Sequence, residues 1–203
     1  MKVKLIAITQ PINRLWNQES LIEHSARTCY HSQDKQDTNI RFVENVVKRG
    51  HLSVTEHINF TFEISGITRA CANQLVRHRL ASYSQESTRY CDMANQNVIE
   101  PDDIKNDPYC HVVWINTVKA IKKAYAIFRK QDIKKEDARA ILPLNLETQL
   151  VMTCNTRELM HIINLRTSQK AQKEIREVVS HMLDIAMEYC PSVFCLSETK
   201  KGS

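Results

Sequence analysis

Ile58-Asn59-Phe60-Thr61-Phe62-Glu63-Ile64-Ser65, followed at once by Gly66-Ile67-Thr68-Arg69-Ala70-Cys71, is the stretch whose reading decides the fold. Ile58, Phe60, Phe62 and Ile64 alternate with Asn59, Thr61, Glu63 and Ser65, and that period of two predicts a half-buried strand over 58–65. From Ile67 the period changes. Ile67, Ala70, Cys71, Leu75 and His78 recur at helical spacing, which predicts a helix that gathers charge at its end in Arg77-His78-Arg79. A strand running directly into a helix sets a mixed class.

Upstream, residues 3–9 are apolar, β-branched and short, so they read as a strand, and 19–29 read as a helix. A second helix is expected over 37–49, with Asp37 as its cap, Ile40, Val43 and Val47 on one face, and Gly50 at its stop. Downstream, 82–100 is polar and irregular and reads as a functional loop with short extended pieces. Asp107-Pro108 has the form of a helix start, and the helix runs to about residue 130 with Val112, Ile115, Val118, Ala124, Tyr125 and Phe128 inward. A shorter helix over 136–142 is stopped by Pro143, and 147–154 reads as a strand. Asn155 can cap a helix from 156 to about 166, and 171–189 forms the last helix, ended by Pro191. With no repeat and no composition shift, the expectation is a single mixed α+β domain over 1–203, a small antiparallel sheet flanked by long helices.

Composition narrows the chemistry. The chain has 203 residues, 42% of them hydrophobic and 25% charged, enough for a core in one compact domain. Only three glycines occur, where average usage of about 7% would give roughly 14. Three isolated glycines, Gly50, Gly66 and Gly202, cannot write a G-x-G-x-x-G fingerprint or a Walker loop. Any nucleotide must be held by side chains. The net charge of +5 suits an anionic ligand without a polybasic run. Seven cysteines with no C-x-x-C pair argue against a disulfide framework or a zinc ribbon. No metal site is expected, and a reducing cytoplasm is. Neither a signal peptide nor a membrane-length apolar span is legible, so no membrane partner is expected.

The densest polar stretch runs from Gln74 to Tyr90. On a helix at 100° per residue, Arg77 and Arg79 would project about 200° apart, whereas Gln74 and Arg77 would share a face. Two different ligands follow from that geometry. If 85–89 is extended, Gln85, Ser87 and Arg89 point to one side of a polar pocket. Charge-assisted hydrogen bonds from arginine to phosphate are each worth on the order of 1.5–3 kcal/mol, so a few such residues can replace a glycine loop. Two plainer readings stand beside this one: cations placed for a helix dipole, and a basic helix in a nucleic-acid groove. The second is weakened because Tyr83 and Tyr90 are the only rings nearby. Residue pattern alone stops at a binder of something anionic.

Arg77-His78-Arg79, seven residues and then Ser87 resembles the signature of flavin-dependent thymidylate synthases. Glu56-His57-Ile58-Asn59-Phe60-Thr61-Phe62 is similar to that family's E-H-x-x-F-T-F strand, and Asn155-Thr156-Arg157 to its N-x-R turn. Leu165-Arg166, then Ala171-Gln172 and Glu174-Ile175, resemble its C-terminal helix pair, and Ala26-Arg27-Thr28-Cys29-Tyr30 also fits. These motifs span nearly the whole chain in order.

The resemblance implies a homotetramer with active sites shared between subunits, binding FAD, dUMP, methylenetetrahydrofolate and NADPH. The implied reaction methylates dUMP to dTMP: the folate gives the one-carbon unit, the hydride passes from NADPH by way of FAD, and no cysteine acts as nucleophile. Neither nucleic acid nor membrane is then a partner. By the same resemblance Arg77, His78 and Arg79 contact FAD, as do His57, Asn59, Gln85, Asn155, Arg157 and His161. Gln74, Arg77, Gln85, Glu86, Ser87, Thr88, Arg89, Arg139 and Arg166 contact dUMP, with Arg89 as phosphate anchor. Arg166 is the catalytic residue, a permanent cation beside the uracil imide that stabilises the ring when its nitrogen loses a proton. Ser87 is assigned to binding, because no neighbouring histidine in the sequence is placed to activate it. A relative that keeps the fold and ligands but has lost turnover is the remaining alternative. The chain departs from the family pattern at Ser84-Gln85, where Asn-Glu is frequent, at Lys170, where a histidine is, and at Asn59, where a small hydroxyl is usual. Gln85 cannot serve as a carboxylate base.

Overall fold

The computed structural model describes residues 1–36 and 40–198. Asp37, expected to cap the second helix, lies outside the described residues. The chain runs β1 (Lys2–Ile8), α1 (Gln18–Thr28), a 3-10 turn (Gln33–Lys35), α2 (Ile40–Lys48), a second 3-10 turn (Leu52–His57), β2 (Asn59–Thr68), α3 (Arg69–Leu75) and β3 (Ala81–Gln85). It continues through α4 (Asp102–Lys105), α5 (Pro108–Lys130), α6 (Lys135–Ala138), a third 3-10 turn (Arg139–Ile141), β4 (Glu147–Asn155), α7 (Thr156–Arg166), α8 (Lys173–Tyr189) and α9 (Pro191–Glu198). Among the described residues four strands form one antiparallel sheet in the order β1-β2-β4-β3. Its register can be read from side chains: Lys4 meets Glu63 at 3.2 Å, and the Thr61 and Thr153 hydroxyls meet at 3.0 Å. The α+β expectation holds.

β2 is longer than its alternation predicts, and α3 starts at Arg69 instead of Ile67. The reason is Gly66, whose φ of 70° is open to glycine at little cost. The burial alternation of Phe60, Phe62 and Ile64 breaks there, as at the glycine of a β-bulge, and the strand continues through Ile67 and Thr68. The helical spacing of Ile67 to His78 therefore overshoots at both ends. α3 ends at Leu75, and Arg77, His78 and Arg79 lie in the turn beyond it. The 200° helical separation of the two arginines does not apply, and neither does the helix-dipole reading of their charge.

The chain divides into two compact units, the first holding Met1–Ile64, Leu75–Tyr83 and the chain from Val151 on, the second Ser65–Gln74 and Ser84–Leu150. In the first unit, the inner face of β2 puts Phe60 and Phe62 out of contact with solvent, their rings stacked at 5.9 Å. Phe194 of α9 meets Phe60 edge-on at 6.2 Å. Leu159, Ile162 and Ile163 of α7 and Ile175, Val178, Val179 and Met182 of α8 complete this core. Each such side chain contributes about 1.5–3 kcal/mol by burial. α7 packs against α8 and against the second 3-10 turn, Leu52–His57. Ser53-Val54-Thr55-Glu56, which has the form of a capping box, lies inside that turn instead, and the Thr55 hydroxyl donates to the Leu52 carbonyl at 2.7 Å. Pro191 does not simply end α8 but opens α9, the position where a missing N–H costs nothing. The backbone N–H of Ser192 then donates to the buried Glu19 carboxylate at 2.6 Å.

In the second unit, Asp107 caps α5 as expected, accepting from the N–H groups of Tyr109 and Cys110 at 2.9 Å each. Tyr125 is the buried residue of that helix and packs with Met93, Ala138 and Leu146. Val112 and Phe128 are not inward: they are 55% and 37% exposed, with Tyr109, Val113 and Ile127 also open. An apolar α5 face is therefore left uncovered by the described residues. The helix expected over 136–142 is split, α6 giving way to the 3-10 turn at Arg139.

Candidate active site

Two clusters of the expected residues form, one in each unit. The first centres on His78. The residue is 5% exposed, and Arg166 Nε–H donates to His78 Nε2 at 3.0 Å. Glu158 Oε1 faces Nδ1 of the same ring at 3.7 Å, and the His161 ring stands edge-on at 5.9 Å. Burial, reinforced by the charges of Arg166, His161 and Arg77, lowers the His78 pKa to about 4. The imidazole is neutral at pH 7. Since a guanidinium only donates, Nε2 must be the acceptor and the ring proton sits on Nδ1. Tyr83 secures the backbone below: its hydroxyl donates to the carbonyls of Leu75 at 2.7 Å and His78 at 3.1 Å. Burial raises the phenol pKa, with Cys154 and Glu158 adding to the shift, so it remains a donor.

Arg77 and Arg79 flank His78 and are exposed, and among the described residues neither has a hydrogen-bond or ion-pair partner. Asn155 caps α7 by accepting from Glu158 N–H at 2.9 Å, which fixes the helix that carries Arg157, His161 and Arg166. Arg157 is exposed and pairs with Glu56 at 2.5 Å. His57 ends the 3-10 turn with its side chain exposed. Asn59 opens β2, its backbone tied to Thr9 at 2.9 Å and 3.0 Å and its side chain in solvent.

The second cluster is built around the loop after β3. The extended reading of 85–89 stops at Gln85. Beyond it the chain turns, because Ser87 O accepts from the N–H groups of Tyr90 and Cys91, and Ser87 Oγ accepts from Arg89 N–H at 3.2 Å. Gln85, Ser87 and Arg89 therefore do not share one strand face. Gln85 Nε2 donates to Thr148 Oγ1 at 3.4 Å, and Glu86 carboxylate accepts from Gln96 at 3.5 Å. Arg139 donates to the buried Thr88 hydroxyl at 3.2 Å, and Arg89 Nε pairs with Glu136 Oε2 at 2.6 Å. Arg89 also lies over the Tyr90 ring at 5.4 Å, facing an open depression of about 420 Å³ shared with Arg129, Lys134 and Lys135. Gln74, in the last turn of α3, is half-buried in this unit.

Three participants were not singled out by sequence reasoning. Glu158 reads as the third-position acid of a capping box behind Asn155, which conceals that its side chain turns inward to His78. Arg69 donates to the Glu86 carbonyl at 3.3 Å, and burial lowers its pKa, with the Glu86 charge opposing and that of Arg139 adding. Glu136, beside Arg89, looked like an ordinary first-turn acid. Among the described residues no group of three or more His, Cys, Asp or Glu is placed to hold a metal ion. No helix among them is long and apolar enough to cross a membrane.

Each unit thus carries a cluster of arginine side chains, and neither cluster draws on a glycine-rich loop. Residues 12–192 match the family model described as thymidylate synthase complementing protein. The flavin-dependent thymidylate synthase of Pyrococcus abyssi is 45% identical over 139 residues, 66% of this chain and 57% of that relative, so less than two thirds of the latter is spanned. That of Geobacter sulfurreducens is 35% identical over 186 residues, 87% of this chain and 80% of the relative. That of Mycolicibacterium vanbaalenii is 34% identical over 223 residues, 96% and 88% respectively. The fold is similar to a crystal structure of thymidylate synthase X from Helicobacter pylori, solved with FAD and dUMP. Its TM-score is 0.78, with 97% of this chain and 98% of that one covered at 21% identity. The chain belongs to the family of flavin-dependent thymidylate synthases.

Proposed function

We propose that this chain catalyses the reductive methylation of dUMP to dTMP, with methylenetetrahydrofolate as one-carbon donor and NADPH as reductant, acting in the cytoplasm as a homotetramer. Family membership supports the reaction class, and the observation that carries the reading to particular residues is the Arg166–His78 contact at 3.0 Å. Bound FAD supplies hydride transfer between the reductant and the nucleotide. The residues present fit that cofactor: Arg77 and Arg79 are exposed cations without partners among the described residues, suited to a diphosphate. Arg157, His57, Asn59, Gln85, Asn155 and His161 complete its contacts. The uncovered apolar face of α5 supports assembly with further copies.

Arg89 and Arg139 hold the dUMP phosphate, with Gln74, Glu86, Ser87 and Thr88 lining the nucleotide. Arg89 must first leave Glu136, and the energies favour the exchange. An exposed ion pair is worth about 1 kcal/mol or less, a charge-assisted hydrogen bond to phosphate roughly 1.5–3 kcal/mol. Arg166 stays protonated throughout and holds positive charge at the uracil imide, which favours loss of the ring proton and sends electron density to the methyl-accepting carbon. Neutral His78 accepts the Arg166 Nε–H and so sets the direction of the guanidinium that faces the substrate. No thiol step is assigned: burial, and then the Glu158 charge, push the Cys154 thiol up to about 12. The Ser87 hydroxyl is engaged in its own turn.

The test is dTMP formation by purified protein supplied with FAD, dUMP, methylenetetrahydrofolate and NADPH, alongside Arg166→Ala. The reading expects turnover that Arg166→Ala lowers by at least about a hundredfold. Flavin and dUMP binding without any turnover would indicate the silent relative, and salt-sensitive nucleic-acid binding without flavin would indicate a different protein class.

A further inference from the structure

Within the first unit, one buried carboxylate has been given no catalytic or binding role. Glu158 is 6% exposed, sits in the first turn of α7, and directs its side chain at His78 instead of back to the helix start. Its backbone is fixed by the Asn155 cap at 2.9 Å. Glu158, His161 and Arg166 follow one another along α7, so one helix presents an acid, a ring and a cation to the same imidazole.

The geometry of that imidazole is constrained from both nitrogens. Nε2 accepts from Arg166, and the neutral ring then carries its proton on Nδ1. At 3.7 Å, Glu158 Oε1 is too distant from Nδ1 for a good hydrogen bond, so it acts as a charge. The side chains on the two sides of that contact are only 4% and 6% exposed, so water screens the field weakly. Negative charge beside Nδ1 favours the Nδ1–H form. In the opposite tautomer, Nε2–H would meet Arg166 Nε–H head-on, and the guanidinium would have to swing away.

We propose that Glu158 is a positioning residue, whose carboxylate holds His78 in the Nδ1–H tautomer so that Nε2 accepts from Arg166 and fixes the direction of its guanidinium. The inference deepens the reading of Arg166 as the residue that faces the uracil, and rests on it. Glu158 contacts neither substrate nor cofactor in this scheme. It acts through His78.

The experiment is a long-range proton–nitrogen NMR spectrum of protein labelled with ¹⁵N-histidine at pH 7, the His78 signals being assigned by their loss in His78→Asn. Wild type is expected to carry the proton on Nδ1. In Glu158→Gln, which keeps the volume, and in Glu158→Leu, population moves to the Nε2–H form. In both, kcat for dTMP formation falls roughly ten- to a hundredfold, more than the change in KM for dUMP, while FAD affinity is retained. A wild-type ring found charged or protonated on Nε2 overturns the proposal without any variant, even if both variants fail to fold. So does Glu158→Gln with unchanged tautomer and unchanged kcat. A wild type that makes no dTMP overturns the functional reading instead, and the NMR spectrum still decides the tautomer.

Discussion

Replacing Tyr83 by phenylalanine tests whether the Arg77–Arg79 turn is held from below. The hydroxyl donates to two carbonyls, those of Leu75 at 2.7 Å and His78 at 3.1 Å. Each bond is worth about 0.5–1.5 kcal/mol net. The Leu75 carbonyl keeps a second donor, the N–H of His78 at 3.0 Å, so its loss is partly covered. The His78 carbonyl has no comparable substitute among the described residues. The expected cost is therefore roughly 1–2 kcal/mol. For a chain of this size each kcal/mol lowers Tm by about 2–4 °C, which places the shift at roughly 2–8 °C. Tm should be read at equal protein concentration and without ligand, because assembly and binding add their own stabilisation. The same variant should weaken FAD binding several-fold, measured by flavin fluorescence titration, although the proposed scheme gives Tyr83 no contact with flavin. A Tm within 1 °C of wild type together with unchanged FAD affinity would refute the claim that this hydroxyl organises the turn.

Tyr125→Phe removes the acceptor of a buried backbone donor, the Met93 N–H at 3.2 Å, and should cost about 1–3 kcal/mol, read from denaturant midpoints. Glu136→Gln frees Arg89 from its 2.6 Å partner and is expected to lower KM for dUMP by up to about fivefold, the worth of an exposed pair. An unchanged or higher KM would remove Arg89 as the phosphate anchor. His78 has its folded-state pKa depressed from 6.5 to about 4, so below pH 6.5 the unfolded chain takes a proton that the folded chain refuses. Its contribution is thus lost as pH falls from 6.5 towards 4 and is constant above that window. Thermal midpoints of His78→Asn should fall less steeply than wild type across that window.

Much of this fold was legible because local rules and burial agree. The alternation of Phe60, Phe62 and Ile64 gave β2, Asp107-Pro108 gave the start of α5, and Asn155 gave the start of α7. Periodicity failed where a single backbone conformation overrides it. Gly66 at φ 70° carries β2 past the point where helical spacing begins, and the error propagates to Arg77 and Arg79. Pro191 was ambiguous for a physical reason, since the same ring ends one helix and suits the first position of the next. Val112 and Phe128 looked like core because apolar spacing along α5 does not say what covers it. At the site, the arginines were visible as residue types, but their partners were not. Glu158 with His78 and Glu136 with Arg89 are separated by 80 and 47 positions, contacts that no local pattern encodes.

In the proposed function, arginine side chains, Arg166 foremost, carry flavin-dependent thymidylate synthesis. The most direct measurement is the yield of dTMP from dUMP by the purified protein with FAD, methylenetetrahydrofolate and NADPH, each omitted in turn. The expected result is dTMP formation that requires every component and is nearly abolished by Arg166→Ala. Protein that binds no FAD and forms no dTMP, or an Arg166→Ala variant as active as wild type, would contradict it.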